Sequence, residues 1–310
     1  MVHNDGFLRE NDICYPRALR VSPGHQKVVH HLKKPVEDGF RDLLNEVAPY
    51  ETVFLSTENF TRLSVKNIRQ LISLFDGYDI QVLFFYRGYH DLWPSHWQET
   101  VKHGAFNGWP DYLLTALGFS DKATLGHLNP DLVLGRWSHV LGQEKLQIFP
   151  YAAIGKGPLD ALKPVCSVLG IEAAALRTEE RGRNASYPPR RIEAIRALNR
   201  SAALAGLPRG AEIRRQYMKK AVKLESSPAF TALQEHFDKH ARTSVLRQQD
   251  SYLSHVRNSF LDKYGKRFMT SLPENEAKRE KTVLFLDSTY PVPDGIVADL
   301  ASLLWEGQRG

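Results

Sequence analysis

Residues 80–98, IQVLFFYRGYHDLWPSHWQ, carry an apolar run straight into a fixed positive charge, Arg87, with a hydroxyl, Ser95, eight positions later. A guanidinium stays charged at any relevant pH, and its planar fork suits a phosphate or carboxylate. In an open parallel sheet, ligands bind beyond the carboxyl ends of the strands, so an arginine that follows VLFFY faces that crevice. Ser95 is expected near the start of the next helix, where a hydroxyl and free backbone N–H groups also favour an anion. Arginine and serine around one phosphate is one reading; an arginine that only pairs with a neighbouring carboxylate is the other. A second strand end, VFLSTENF (53–60), runs into Ser56, Thr57 and Glu58. A carboxylate there can take a proton from a substrate hydroxyl, work that contributes ~10²–10⁴-fold. It can equally cap the following helix or pair with Arg62.

These residues need elements to position them. VEDGFRDLLNEV (36–47) places Val36, Phe40, Leu43, Leu44 and Val47 on one helical face, and TVFLS (52–56) reads as a short buried strand. SVKNIRQLISLFDGY (64–78) reads as a helix capped by Ser64, striped by Val65, Ile68, Leu71, Ile72 and Phe75, and stopped by Gly77. IQVLFF (80–85) is a second strand, continuously apolar as in a sheet buried on both faces. A polar helix is expected around 91–104, short helices and loops over 105–144, and a third strand at KLQIFPY (145–151). PLDALKPVCSVLGI (158–171) is amphipathic, with Pro164 as a kink or as the true start. Strands alternating with helices indicate an α/β domain. Beyond about 176 the character changes. RTEERGRNASYPPRR (177–191) is a basic loop, a helix buries Ile192, Ile195, Leu198 and Ala202, and residues 206–280 are charged and expected to be helical in pieces. PENEAKREK (273–281) reads as an exposed link, TVLFLD (282–287) as a late strand and DGIVADLASLLW (294–305) as a closing helix.

The 310 residues are 42% hydrophobic, enough for a substantial core in one large domain or a domain with an appendage. A net charge of +6 and a pI near 9.2 favour anionic partners without choosing among nucleotide, acidic glycan, nucleic acid and membrane. Two cysteines, Cys14 and Cys166, make no disulfide framework and fit a reduced compartment. The N-terminus lacks the apolar core of a secretory signal, and no window approaches the ~18 apolar residues of a membrane span. The expectation is a soluble, cytoplasmic chain with no transmembrane segment.

The order TVFLSTENF, a helix, IQVLFFYRGYHDLWPSHWQETVKHG, LQIFPYAAI and PVCSVLGI resembles bacterial carbohydrate sulfotransferases, members of the superfamily that uses 3′-phosphoadenosine 5′-phosphosulfate as sulfate donor. The resemblance covers about residues 7–200 and, more loosely, VRNSFLDKYGKRF (256–268). It implies a three-layer, P-loop-NTPase-like parallel sheet flanked by helices, with a helical C-terminal extension. The domains would be 1–205, and a charged, mostly helical region at 206–310. It implies that Arg87 and Ser95 hold the cofactor's 3′-phosphate, since they match the family pair in type and spacing. Ser56-Thr57-Glu58 matches a family Ser-x-Glu, which carries the general-base role to Glu58. GRNASYPPRRIEAIRALN (182–199) resembles the family's Asn-x-Ser segment before a helix, which places Arg183 and Asn184 near the cofactor or acceptor.

The chain departs from that pattern in one place. Family members begin with a strand and a phosphate loop, roughly Gly-x-x-Lys-Thr-Gly-Thr-Thr, whose converging N–H groups and lysine cradle the 5′-phosphosulfate. Here only Lys281 precedes a Ser or Thr, in EKTVLF, with no glycine loop around it. Either that part falls before Met1, or the chain is a homologue that no longer transfers sulfate. Losing a strand from inside a sheet leaves two neighbours without ladder partners and invites aggregation. A complete enzyme would transfer a sulfuryl group in line to a carbohydrate hydroxyl, with Glu58 as base and no metal. His30–His31 and the His90/His96 pair read as surface or helix-face residues. The rivals are a non-catalytic nucleotide- or glycan-binding homologue and a basic nucleic-acid binder; nucleic acid is not expected, because no recognition motif accompanies the basic tracts. A metal-dependent glycosyltransferase would want an Asp-x-Asp motif, which does not occur.

Overall fold

The computed structural model describes residues 1–21, 24–34, 38–119, 126–155, 157, 159–177, 186–207 and 210–306. The chain is α/β and mostly helical. It forms two compact units, each assembled from three stretches of sequence. The first comprises Met1–Arg87, Asp121–Gly182 and Asn258–Glu274; the second comprises Gly88–Ser120, Arg183–Arg257 and Asn275–Gly310. The boundary expected near residue 205 falls inside the second unit.

In the first unit the strands are parallel. β1 (Ile13–Cys14) pairs with β2 (Thr52–Val53), and β3 (Val82–Tyr86) pairs with β4 (Leu146–Pro150), Val82 lying opposite Leu146. Alternate residues of β3 and β4, namely Val82, Phe84, Tyr86, Leu146 and Ile148, enter one core with Val53 and Leu55. Helices Gln26–Lys33, Arg41–Val47, Val65–Ser73 and Pro130–Leu141 supply much of the rest of that core. Ser64 caps its helix as the sequence predicts, its hydroxyl accepting the Asn67 N–H at 3.2 Å. Pro164 marks the start of helix Lys163–Leu169, and Gly170 closes it with φ +68°.

The expected single sheet is not what forms. The described strands fall into three two-stranded sheets, and no ladder joins β2 to β3. The consequence is visible in burial. Leu146 and Ile148 of β4 are buried, and Met269 N–H reaches the Ile148 carbonyl at 2.8 Å along the edge away from β3. Val82 and Phe84 face the same core yet stay half-exposed, and among the described residues no second strand pairs with β3.

The second unit carries an antiparallel pair, β5 (Arg242–Arg247) with β6 (Glu280–Phe285), and helices Tyr89–Lys102, Trp109–Phe119, Pro189–Leu204, Ala211–Lys219, Ala221–Glu225, Pro228–His240 and Asp294–Trp305. β6 and the last helix sit where the sequence places them. β5 lies in a region expected to be helical; its short, charged RTSVLR run becomes a strand only by pairing with β6. Glu276, in the supposed exposed link, is buried because Arg257 Nε meets its carboxylate at 2.7 Å. Helix Pro189–Leu204 buries Ile192, Ile195, Leu198 and Ala202, and with them two polar residues, Glu193 and Asn199. Burial pushes the Glu193 carboxyl upward against the opposing pull of Arg196 at 2.6 Å. No described helix is long and apolar enough to cross a membrane.

Candidate functional site

Two sequence-predicted residues follow parallel strands of the first unit, Arg87 directly after β3 and Glu58 farther on, beyond the Val53 end of β2. Arg87 follows β3 directly, half-buried, its guanidinium 5.0 Å from the ring centre of Tyr151 at the end of β4. A cation over an aromatic face is attracted by the ring quadrupole, which orients the guanidinium. Glu58 opens the short turn Glu58–Arg62 after β2 and is exposed. Neither of its structural alternatives occurs. Thr57 caps the turn, accepting the Asn59 N–H at 3.2 Å, and Arg62 reaches His127 Nε2 at 3.2 Å. Among the described residues the Glu58 carboxylate forms no ion pair, so it is free to act on a ligand.

The strand end that presents Glu58 is clamped at Ser56. Its N–H lies 3.1 Å from His25 Nδ1, its carbonyl accepts the His25 backbone N–H at 2.8 Å, and its hydroxyl shares a 2.9 Å hydrogen bond with Tyr15. His25 is fully buried and its Nε2 lies 3.0 Å from the Pro16 carbonyl. That partner requires a proton on Nε2, so Nδ1 is the acceptor and the ring is neutral. Burial lowers its pKa, outweighing the carbonyl contacts, and Arg20 lowers it further. The sequence drew no attention to Tyr15 or His25; the one signal was a glycine-marked turn before a helix.

Charges beside β1 are matched. Arg9 and Arg17 hold Asp5 and Glu46 at 2.5–3.3 Å. Burial alone would raise the pKa of both carboxyls. For Asp5 the arginines outweigh it; for Glu46 the backbone N–H groups of Ala18 and Arg17, with Arg9, do so. Cys14 is buried, which pushes its thiol up to about 11, with Glu46 adding to the effect.

Ser95 belongs to the second unit, within helix Tyr89–Lys102. The helix starts earlier than expected. Gly88 is its N-cap and its carbonyl accepts the N–H groups of Asp91 and Leu92, so the supposed Gly-Tyr-His-Asp link is the first helical turn. A side chain at 88 would meet the His90 ring within 2.8 Å. Ser95 therefore sits in the second turn, beyond the unbonded N–H groups of a helix start. It offers its hydroxyl and not a helix terminus. His90 is not a surface residue. It is buried and its Nδ1 lies 2.8 Å from Gln248 Oε1.

Ser95, Gln98 and Lys102 share one helical face at i, i+3 and i+7. That face holds Tyr187. Its N–H donates to Gln98 Oε1 at 3.2 Å, and Lys102 Nζ stands 4.4 Å from its ring centre. Arg183 and Asn184 lie outside the described residues, but the segment resumes on the helix that carries Ser95.

A cavity of about 400 Å³ elsewhere in this unit, lined by Leu198, Ala202, Ile213, Ala301, Leu304 and Trp305 among others, contains no predicted site residue. Lys281 lies on β6 and pairs with Asp91 at 3.7 Å, in an antiparallel strand pair rather than a phosphate loop. Among the described residues no three His, Cys, Asp or Glu side chains gather as a metal site. Comparisons with protein-family models, with curated proteins and with solved structures return no significant match.

Proposed function

We propose that this chain is a sulfotransferase-like protein built to bind 3′-phosphoadenosine 5′-phosphosulfate and to direct its sulfuryl group to a carbohydrate hydroxyl. The observation that carries the reading is in the second unit. Tyr187, three residues after Asn184, docks on the helical face that bears Ser95, so two blocks of sequence assigned to the cofactor converge. The first unit adds support. β2, β3 and β4 contribute to one core, Arg87 directly follows β3, Glu58 lies beyond the end of β2, and the core-facing Val82 and Phe84 remain half-exposed.

In this reading Arg87 and Ser95 are assigned to the 3′-phosphate by their type and spacing, with Arg183 and Asn184 beside the cofactor, and Glu58 deprotonates the acceptor. The guanidinium makes charge-assisted hydrogen bonds to phosphate oxygens and fixes the donor's far end. A second reading follows from the sequence. Without a glycine-lysine loop, nothing in these residues stabilises the leaving oxygen, so the chain on its own binds the nucleotide and does not turn it over.

Calorimetry with 3′-phosphoadenosine 5′-phosphate tests both forms. Arg87→Ala and Ser95→Ala should each weaken binding by about tenfold or more, as expected for a lost charge-assisted contact of about 1.5–3 kcal/mol. Affinity unchanged in both variants refutes the assignment.

A further inference from the structure

Arg20 is one of two arginines of the first unit, with Arg136, that have a buried guanidinium nitrogen without a hydrogen-bond partner. Its Nη1 is buried and has no hydrogen-bond partner. The neighbouring Arg9 and Arg17 are matched by Asp5 and Glu46, whereas no described carboxylate forms an ion pair with Arg20. The guanidinium lies over the Tyr15 ring, 5.3 Å from its centre, and Tyr15 is 1% exposed and bonded through its hydroxyl to Ser56. His25 cannot supply the missing acceptor. Its ring edge meets the same Tyr15 ring at 4.8 Å, but both of its nitrogens are engaged with Pro16 and Ser56. A dry N–H without an acceptor carries an unrecovered desolvation cost, and Arg20 as a whole is half-buried rather than sealed from solvent.

We propose that Arg20, steered by the Tyr15 ring, is a binding subsite for an oxyanion at the carboxyl end of β2. Ser56 ties the subsite to Glu58 two residues on, so the anion belongs to the acceptor. The substrate class is an acidic sugar, one that carries a carboxylate, sulfate or phosphate near the hydroxyl to be modified. This placement rests on the sulfotransferase-like reading; the oxyanion subsite itself does not. Arginine makes this contact through paired N–H groups, and the aromatic face below it fixes the plane of the fork.

The test uses the whole chain, with NMR-monitored titrations of inorganic sulfate and, separately, of glucuronate. Binding of either anion that weakens at least tenfold in Arg20→Gln and is largely retained in Arg20→Lys supports the subsite; the anion that binds more tightly identifies the acceptor's group. Lys66→Gln, at an exposed cation of the same unit, controls for general surface charge. Near-ultraviolet circular dichroism shows whether Arg20→Gln keeps the native packing, and Arg20→Met, which also removes the charge, serves if it does not. Equal affinity in wild type and Arg20→Gln, no binding of either anion, or an equal loss in Lys66→Gln overturns the proposal. Retained sulfate binding alongside absent 3′-phosphoadenosine 5′-phosphate binding would remove the cofactor reading and leave the subsite standing.

Discussion

Asn199, at the end of the segment that resembles the family's Asn-x-Ser block, is fully buried and uses both ends of its amide. Its Nδ2 donates to the carbonyls of Val101 at 2.7 Å and Ala105 at 3.2 Å, and its Oδ1 accepts the Gly210 N–H at 3.2 Å. One side chain thereby ties the end of the Ser95 helix to the turn after helix Pro189–Leu204. Gly210 has φ +74°, and a Cβ there would lie 2.6 Å from the His103 carbonyl, so the turn has no freedom to find another acceptor. In Asn199→Ala, Val101 keeps the Gly104 N–H at 3.1 Å, but Gly210 N–H and Ala105 carbonyl lose a partner. At about 1–3 kcal/mol for each stranded group, the cost is about 2–6 kcal/mol. Asn199→Asp should be worse at neutral pH, since it sets an unpaired buried carboxylate against two carbonyl oxygens. Its pKa is then raised by burial, and the Asp variant should gain on the Ala variant as pH falls and the acid regains an O–H donor. Denaturant unfolding followed by tryptophan fluorescence reads this unit, because Trp93, Trp97, Trp109 and Trp305 belong to it and only Trp137 to the other. A loss below about 0.5 kcal/mol in Asn199→Ala, or an Asp variant more stable than Ala at pH 7, would refute the reasoning.

Two further outcomes follow from the first unit. Glu58 is exposed and without an ion pair, so Glu58→Gln should leave thermal stability within about 0.5 kcal/mol of wild type; any sulfuryl transfer measured with a radiolabelled donor should fall by about 10²–10⁴-fold. A large loss of stability would show a structural role instead. His25 is buried neutral, with its folded pKa below the unfolded value near 6.5. Above that value it costs nothing; as pH drops from about 6.5 toward the folded pKa, the unfolded chain takes up a proton that the native ring refuses, and stability declines. His25→Gln should flatten that acid limb of the stability curve in this unit, and an unchanged slope would exclude His25 as its source.

The sequence by itself determined those elements whose stabilising pattern is local. Ser64 and the stripe Ile68, Leu71 specify one helix, Asp294–Trp305 appears with the expected ends, and the apolar runs at 82–86 and 146–150 become parallel strands. Arg87 stands at a strand end for the same reason, since its apolar run stops there, whereas β2 stops at Val53, short of Glu58. Tertiary structure decided what no window contains. Arg242–Arg247 is a strand through pairing with β6, and Ser95 lies in a second turn because Gly88 starts its helix early. His90 is buried against Gln248, a partner 158 residues away, and Arg20 is told apart from Arg9 and Arg17 only once those two are seen with their carboxylates. Propensity and periodicity act over a few neighbours, whereas the burial and pairing of a polar group depend on which distant atoms the fold brings within 3 Å.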